Sequence, residues 1–112
     1  MSPTASPPYD REKLVELFGN DPKTLAEVER EFVETARQAE REIADADDLG
    51  TIARAAHRVK GASGMIGAAT LHRIAEGLER AAKADDSATV RRLQTIFSQE
   101  VKRVAEQAGL AG

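Results

Sequence analysis

Cysteine and tryptophan are absent from this 112-residue chain, and aromatic residues make up only 4% of it. The lack of cysteine excludes disulfide bonds and thiolate metal sites. No apolar run approaches the ~20 residues that a membrane-spanning helix needs. The start of the chain, MSPTASPPYD, lacks the basic and then apolar pattern of a signal peptide. We therefore expect a cytoplasmic domain with no membrane partner, whose core is built from Leu, Ile, Val and Ala.

Neither sign of charge dominates any part of the chain. The sequence carries 16 Lys and Arg against 19 Asp and Glu, a formal net charge of −3, and the two signs are interspersed. Nucleic-acid binding needs a basic patch or stripe, and none is visible, so we predict no nucleic-acid partner. Hydrophobic residues make up 41% of the chain, and its length suits one globular domain.

Apolar residues recur every three or four positions in five segments, which predicts five helices at about 10–18, 22–46, 49–66, 69–83 and 87–108. Asp10 and the pair Asp21-Pro22 are typical helix starts, and Gly19 and Gly67 are typical helix ends. Residues 1–8, rich in Pro, Ser and Thr, are expected to form a disordered tail, and residues 9–108 a single domain. Short connections between long amphipathic helices predict an all-α fold: an antiparallel up-down four-helix bundle with a short additional N-terminal helix.

The predicted core consists of the apolar face of each helix. In chain order these faces contain Leu14, Leu17 and Phe18; Leu25, Val28, Phe32, Ala36, Ala39 and Ile43; Leu49, Ile52, Ala56, Val59, Ser63 and Ile66; Leu71, Ile74, Leu78 and Ala81 or Ala82; and Val90, Leu93, Phe97, Val101 and Val104. The opposite faces are charged and are expected to contact solvent.

The third segment places glycines around one of only two histidines, in the stretch AHRVKGASGMIG. Glycine inside a helix costs about 0.5–1 kcal/mol relative to alanine, so Gly61 and Gly64 need another reason to be there. At about 100° per residue, His57 projects from a side of the helix made of very small residues. We interpret this side as a docking surface that the backbone of another protein can approach closely, formed by Ala53, Arg54, Gly61 and Gly64. Close packing against a neighbouring helix is the alternative explanation for the glycines.

The spacing His-x-x-Lys-Gly-x-Ser-x-x-x-Gly-Ala, which begins at His57, resembles the signature of histidine-containing phosphotransfer (HPt) domains. Its fixed positions are His57, Lys60, Gly61, Ser63, Gly67 and Ala68. Leu78-Glu79, Ala81-Ala82 and Asp85-Asp86 resemble the next helix and turn of that family, and Phe18-Gly19 with Asp21 resembles its N-terminal segment. The resemblance spans roughly residues 9–105.

This resemblance implies that His57 accepts a phosphoryl group from a receiver-domain aspartate and passes it to another response-regulator receiver in a phosphorelay. The implied partners are receiver domains, including one of a hybrid histidine kinase. The implied role is that of a phosphoryl carrier without autonomous catalytic turnover and with no cofactor of its own, Mg²⁺ being bound by the partner receiver. Short loops that close a complete bundle favour a monomer.

Four further side chains are candidates for the site around His57. Lys60, one helical turn away, can stabilise the negative charge of a phosphorylated ring. Glu79 should lie level with His57 if the third and fourth helices fold back around Gly67, and its carboxylate could accept the Nδ1–H and leave Nε2 free to attack. Lys83, one turn beyond, could face the same phosphate. Ser63 could donate a hydrogen bond, although its position in the helix turns it inward.

Other interpretations remain open. His57 could be an ordinary surface residue of a helical interaction module whose small-residue side docks a partner helix. The chain could also be the phosphoacceptor and dimerisation piece of a histidine kinase, although His57 is not followed by the acidic residue and proline usual in such kinases. His72 is expected to be a partly exposed surface residue without a catalytic or metal-binding role. The initial methionine favours a free-standing protein.

Overall fold

The computed structural model describes residues 7–110, and this part of the chain forms five helices and no strand. They are α1 (Arg11–Phe18), α2 (Pro22–Asp45), α3 (Leu49–Ile66), α4 (Ala69–Lys83) and α5 (Ser87–Gln107). The all-α class is confirmed, and the helix ends lie within one residue of the predicted positions. Of the predicted disordered tail, residues 1–6 lie outside the described residues, whereas Pro7 and Pro8 lead without regular structure into Tyr9.

Aspartate side chains begin four of the helices by accepting hydrogen bonds from otherwise unpaired backbone N–H groups. The capping residues are Asp10, Asp21, Asp48 and Asp86. Helix α4 has no side-chain cap, because it follows α3 after only Gly67 and Ala68. Gly67 has a φ of +77°, a left-handed conformation that favours glycine, and this tight turn reverses the chain.

Helices α3 and α4 are antiparallel neighbours. His57 on α3 contacts Glu79 near the end of α4, whereas Lys60, further along α3, contacts His72 near the start of α4. Helix α3 also packs against α2, and α5 packs against both α4 and α2. Helix α1 contacts α2 and α3. Each of the four long helices therefore contacts two of the others.

The interior is aliphatic, as expected, with few aromatic rings. It contains most of the predicted apolar positions of α2 to α5, and Val33, Ala53, Ala55, Ala75 and Ala105 are buried in addition. Val28, Leu49, Ile74 and Leu93 are partly buried against this core. Among the described residues, no helix is both long enough and apolar enough to cross a membrane.

The N-terminal segment differs from the expected arrangement. Leu17 is 50% exposed and Phe18 is 38% exposed, so Leu14 alone of the predicted face of α1 is buried. The space is filled by Tyr9, whose ring packs edge-on against Phe32 with centroids 6.4 Å apart. Tyr9 is 2% exposed, so it and Leu14 are the large apolar side chains that the N-terminal segment buries.

Tyr9 is also held by polar contacts to two helices. Its hydroxyl donates a hydrogen bond to the buried Glu29 on α2, and its backbone exchanges two 3.2 Å hydrogen bonds with the side-chain amide of Gln107 on α5. Burial and the hydrogen bond to Glu29 raise the pKa of Tyr9. Tyr9 thereby contacts both α2, through Glu29, and the last residue of α5, Gln107.

Candidate functional site

His57 lies on the outer side of α3, and its side chain is 64% exposed. It stands in a shallow depression between α3 and α4 that is lined by Ala53, Arg54, His57, Arg58, Glu79 and Lys83. The imidazole is therefore open to solvent and to a macromolecular partner.

Glu79 contacts three charged or titratable side chains at the depression. Its side chain is only 7% exposed, and three side chains contact its carboxylate. Nδ1 of His57 lies 3.0 Å from Oε2, Nζ of Lys83 lies 2.9 Å from Oε2, and Nζ of Lys60 lies 2.9 Å from Oε1. Hydrogen bonds from Lys60 and Lys83, reinforced by that from His57 and opposed by burial, lower the pKa of Glu79 to about 2. The carboxylate is thus ionised at neutral pH.

This contact sets the tautomer of His57. An ionised carboxylate can only accept hydrogen bonds, so the proton of the neutral ring lies on Nδ1 and points to Glu79. The lone pair is then on Nε2, at the other side of the ring. The structure thus brings His57 and Glu79 into direct contact through Nδ1, and Nε2 faces away from the carboxylate.

The two lysines carry the charge of the site. Lys60 is 28% exposed and Lys83 is 67% exposed, and both ammonium groups are bound to Glu79. One carboxylate and two ammonium groups leave a single net positive charge beside the ring of His57. Lys60 therefore has a partner within the site that sequence reasoning did not assign to it. A phosphoryl group on His57, with roughly two negative charges, would meet a favourable field.

Two arginines of α3 flank His57. Arg54 is exposed and donates a 3.3 Å hydrogen bond to Oγ1 of Thr51. Arg58 is exposed as well and pairs with Glu42 on α2. Arg58 was missed by the sequence analysis, although its position directly after His57 and one turn after Arg54 was a usable signal.

The small residues of the predicted docking surface differ from one another. Gly61 is exposed, and a Cβ added there would meet no atom within 4 Å, so nothing inside the protein requires glycine. Gly64 is exposed too, but a Cβ there would lie 3.4 Å from Nδ1 of His72. Ala53 is only 8% exposed and forms the floor of the depression rather than an outward surface. The 3.4 Å distance at Gly64 is an ordinary van der Waals contact, so close helix packing, the alternative explanation, does not require glycine at either position.

Ser63 does not share the surface of His57. It is fully buried, and its Oγ has no hydrogen-bond partner among the described residues. Six residues of helix rotate it about 240° from His57, which turns it into the core. The possible hydrogen bond from Ser63 near His57 is therefore wrong, whereas its predicted place on the inward face of α3 agrees with its burial.

His72 is partly exposed, as expected, but it has a specific contact that the sequence did not predict. Its Nδ1 lies 2.9 Å from the backbone carbonyl oxygen of Lys60. Within residues 7–110, no three His, Cys, Asp or Glu side chains come together as a possible metal site.

A family model described as Hpt domain matches residues 22–107 of the chain. The matched range contains α2 to α5 and every side chain of the depression, and it leaves out Tyr9 and α1. No curated protein and no solved structure matches the chain.

Proposed function

The chain belongs to the Hpt domain family, the phosphotransfer modules of two-component signalling, and on this premise we propose that His57 is its phosphoacceptor. In this proposal His57 accepts the phosphoryl group from an aspartate of one receiver domain and passes it to an aspartate of another. A receiver of a hybrid histidine kinase is the proposed donor, and a response regulator the proposed acceptor. The observation that carries the proposal is the exposed imidazole whose Nδ1 contacts a buried, ionised carboxylate.

The chemistry of the step follows from that contact. The lone pair of Nε2 attacks the phosphorus atom of the aspartyl phosphate, an N–P bond forms, and the P–O bond breaks. The receiver carboxylate leaves with the electron pair of the broken bond. The ring gains positive charge as the N–P bond forms, and the Glu79 carboxylate on Nδ1–H stabilises that charge. The reverse sequence returns the group to an aspartate.

We propose that this chain contributes a nucleophile, two ammonium groups and a docking surface, and acts as a carrier without turnover of its own. Mg²⁺ would be bound by the partner receiver. Lys60 and Lys83 would stabilise the transferred phosphoryl group, Lys83 more freely because it is the more exposed of the two. Arg54 and Gly61 would contact the receiver around the reacting atoms.

The proposed arrangement of the helices is an antiparallel up-down four-helix bundle formed by α2 to α5, with α1 lying on it. The contacts of α2 with α3 and α5, and of α4 with α3 and α5, support this arrangement. The monomeric state and the cytoplasmic location remain predictions from the sequence.

Phosphotransfer from purified receiver domains tests the proposal. Receivers of the source organism are charged with radiolabelled phosphate and incubated with the wild-type chain or with His57→Gln, without ATP. We expect acid-labile label on the wild type from at least one receiver and none on His57→Gln, with circular dichroism showing that both fold. Equal labelling of the two proteins would refute the assignment of His57.

The same experiment separates the other interpretations. An interaction module would bind a receiver but take no label. A phosphoacceptor piece of a histidine kinase would take label from ATP and a kinase catalytic domain and none from any phosphorylated receiver. Either pattern would overturn the phosphorelay role.

A further inference from the structure

His72 makes a hydrogen bond that links the two helices of the site. Its Nδ1, on the first turn of α4, lies 2.9 Å from the carbonyl oxygen of Lys60 on α3. A carbonyl can only accept, so Nδ1 must carry the proton. Both the neutral Nδ1–H tautomer and the imidazolium carry a proton there. The link therefore does not depend on whether the His72 ring is charged.

Gly64 lies beside this bond. A Cβ at Gly64 would lie 3.4 Å from Nδ1 and 3.6 Å from Cε1 of His72, in van der Waals contact with the ring. Gly64 is also four residues after Lys60, and its N–H is the helical partner of the same carbonyl. The Lys60 carbonyl, with two lone pairs, thus accepts one hydrogen bond from its own helix and one from α4.

We infer that His72 is a positioning residue for Lys60 and, through it, for His57; as a role in transfer this rests on the proposed function. The ammonium of Lys60 binds Oε1 of Glu79, and Oε2 of the same carboxylate faces Nδ1 of His57. The bond from His72 holds the point of α3 from which the Lys60 side chain reaches the carboxylate that faces His57.

The geometry explains why a second link between α3 and α4 matters. His72 and Glu79 are separated by about two turns of α4, roughly 10 Å along its axis. The turn at Gly67 and the packing of the two helices already hold α3 and α4 together. The bonds from His72 to the Lys60 carbonyl and from His57 to Glu79 add polar contacts at two separate levels, which restrict small shifts of one helix along the other.

A pair of matched variants tests this inference. In His72→Asn the side-chain amide can replace Nδ1–H as the donor, whereas His72→Leu has a similar volume and no donor. The first readout is the pair of ring ¹⁵N chemical shifts of His57, which report its tautomer without any receiver. The second is the transfer rate from one phosphorylated receiver that labels the wild type.

We expect His72→Leu to give a mixture of His57 tautomers and transfer about two- to tenfold slower, the range that corresponds to the net free energy of one hydrogen bond. We expect His72→Asn to keep the Nδ1–H tautomer and a rate within about twofold of the wild type. Unchanged His57 shifts in a folded His72→Leu would overturn the inference. So would equal losses in both variants, because the donor would then not be the feature that matters.

A further variant covers the case in which His72→Leu does not fold. His72→Ala removes the donor with a small residue that favours helix formation, and His57 shifts unchanged by it would overturn the inference. The proposed function can fail separately: if no receiver labels the wild type, the ¹⁵N shifts still decide whether His72 positions His57.

Discussion

Replacing Gly61 with glutamine should make the protein more stable and, at the same time, a poorer phosphoryl acceptor. Gly61 lies inside α3, its φ is not positive, and a Cβ there meets nothing within 4 Å. A larger residue therefore enters open space, and it removes the conformational freedom that glycine gives the unfolded chain. We expect a gain of about 0.5 kcal/mol in the free energy of unfolding, which corresponds to a rise in Tm of roughly 2–4 °C.

The expected loss is in docking, because the glutamine side chain would stand one turn from His57, where a receiver must approach. Transfer from a phosphorylated receiver, measured over a range of receiver concentrations, should show a higher half-saturating concentration with a nearly unchanged maximal rate. Gly61→Ala is the matched control, since it gains similar stability but adds only a methyl group, and it should transfer closer to the wild-type rate.

Two results would contradict this reasoning. A folded Gly61→Gln with lower stability than the wild type would show that the surface at Gly61 is not open. Higher stability with unchanged transfer kinetics would show that the receiver does not approach this part of α3, and the docking surface would have to be placed elsewhere.

Three further predictions concern the buried carboxylate, its lysines and the N-terminal segment. Hydrogen bonds from Lys60 and Lys83 lower the pKa of Glu79 to about 2, so its ionised form stabilises the fold fully above the ordinary pKa of 4.5 and loses this effect as pH falls through about 2. The difference in free energy of unfolding between wild type and Glu79→Gln, measured in urea, should therefore shrink as pH falls from 4.5 to about 2. Lys60→Ala and Lys83→Ala should each slow transfer, or shorten the lifetime of the phosphorylated protein, by about two- to fivefold, a size typical of partly exposed ion pairs. Labelling should not be abolished in either variant. If neither measurement changes, that lysine does not belong to the site. Since burial raises the pKa of Tyr9, the folded state keeps a proton that the unfolded chain releases near pH 10, so stability is intact below about pH 10 and falls above it. Tyr9 is the single tyrosine, so tyrosinate absorbance should appear only as the protein unfolds, and Tyr9→Phe should cost about 1.5 kcal/mol or more at neutral pH, measured by urea unfolding.

The helices could be predicted from sequence because their ends are set by residues close to them in the chain. Asp10, Asp21, Asp48 and Asp86 cap helices with side chains that bond N–H groups two or three residues away. Gly67 supplies the one backbone conformation that the turn between α3 and α4 needs. Neither feature depends on distant parts of the chain, so the pattern of residues is sufficient.

The N-terminal segment could not be predicted in the same way. The apolar residues of α1 allow more than one face to be buried, because a helix of eight residues is too short for its periodicity to decide. The choice of Tyr9 over Leu17 and Phe18 depends on Glu29 and on Gln107, which is 98 residues away. A side chain whose burial is decided by partners on other helices leaves no local signal.

In the site, too, the contact that follows from a turn was predictable and the contact that follows from packing was not. Glu79 was predictable because a two-residue turn at Gly67 makes α3 and α4 antiparallel, and counting residues from that turn places the carboxylate level with His57. The bond from His72 to the Lys60 carbonyl was not predictable, because helix carbonyls are normally occupied within their own helix and give no sign that they accept a second donor. The burial of Ser63 was visible in its helical position, yet its place in the family signature favoured a polar role. Position in the helix was the better guide, since a rotation of about 240° cannot bring Ser63 to the surface on which His57 lies.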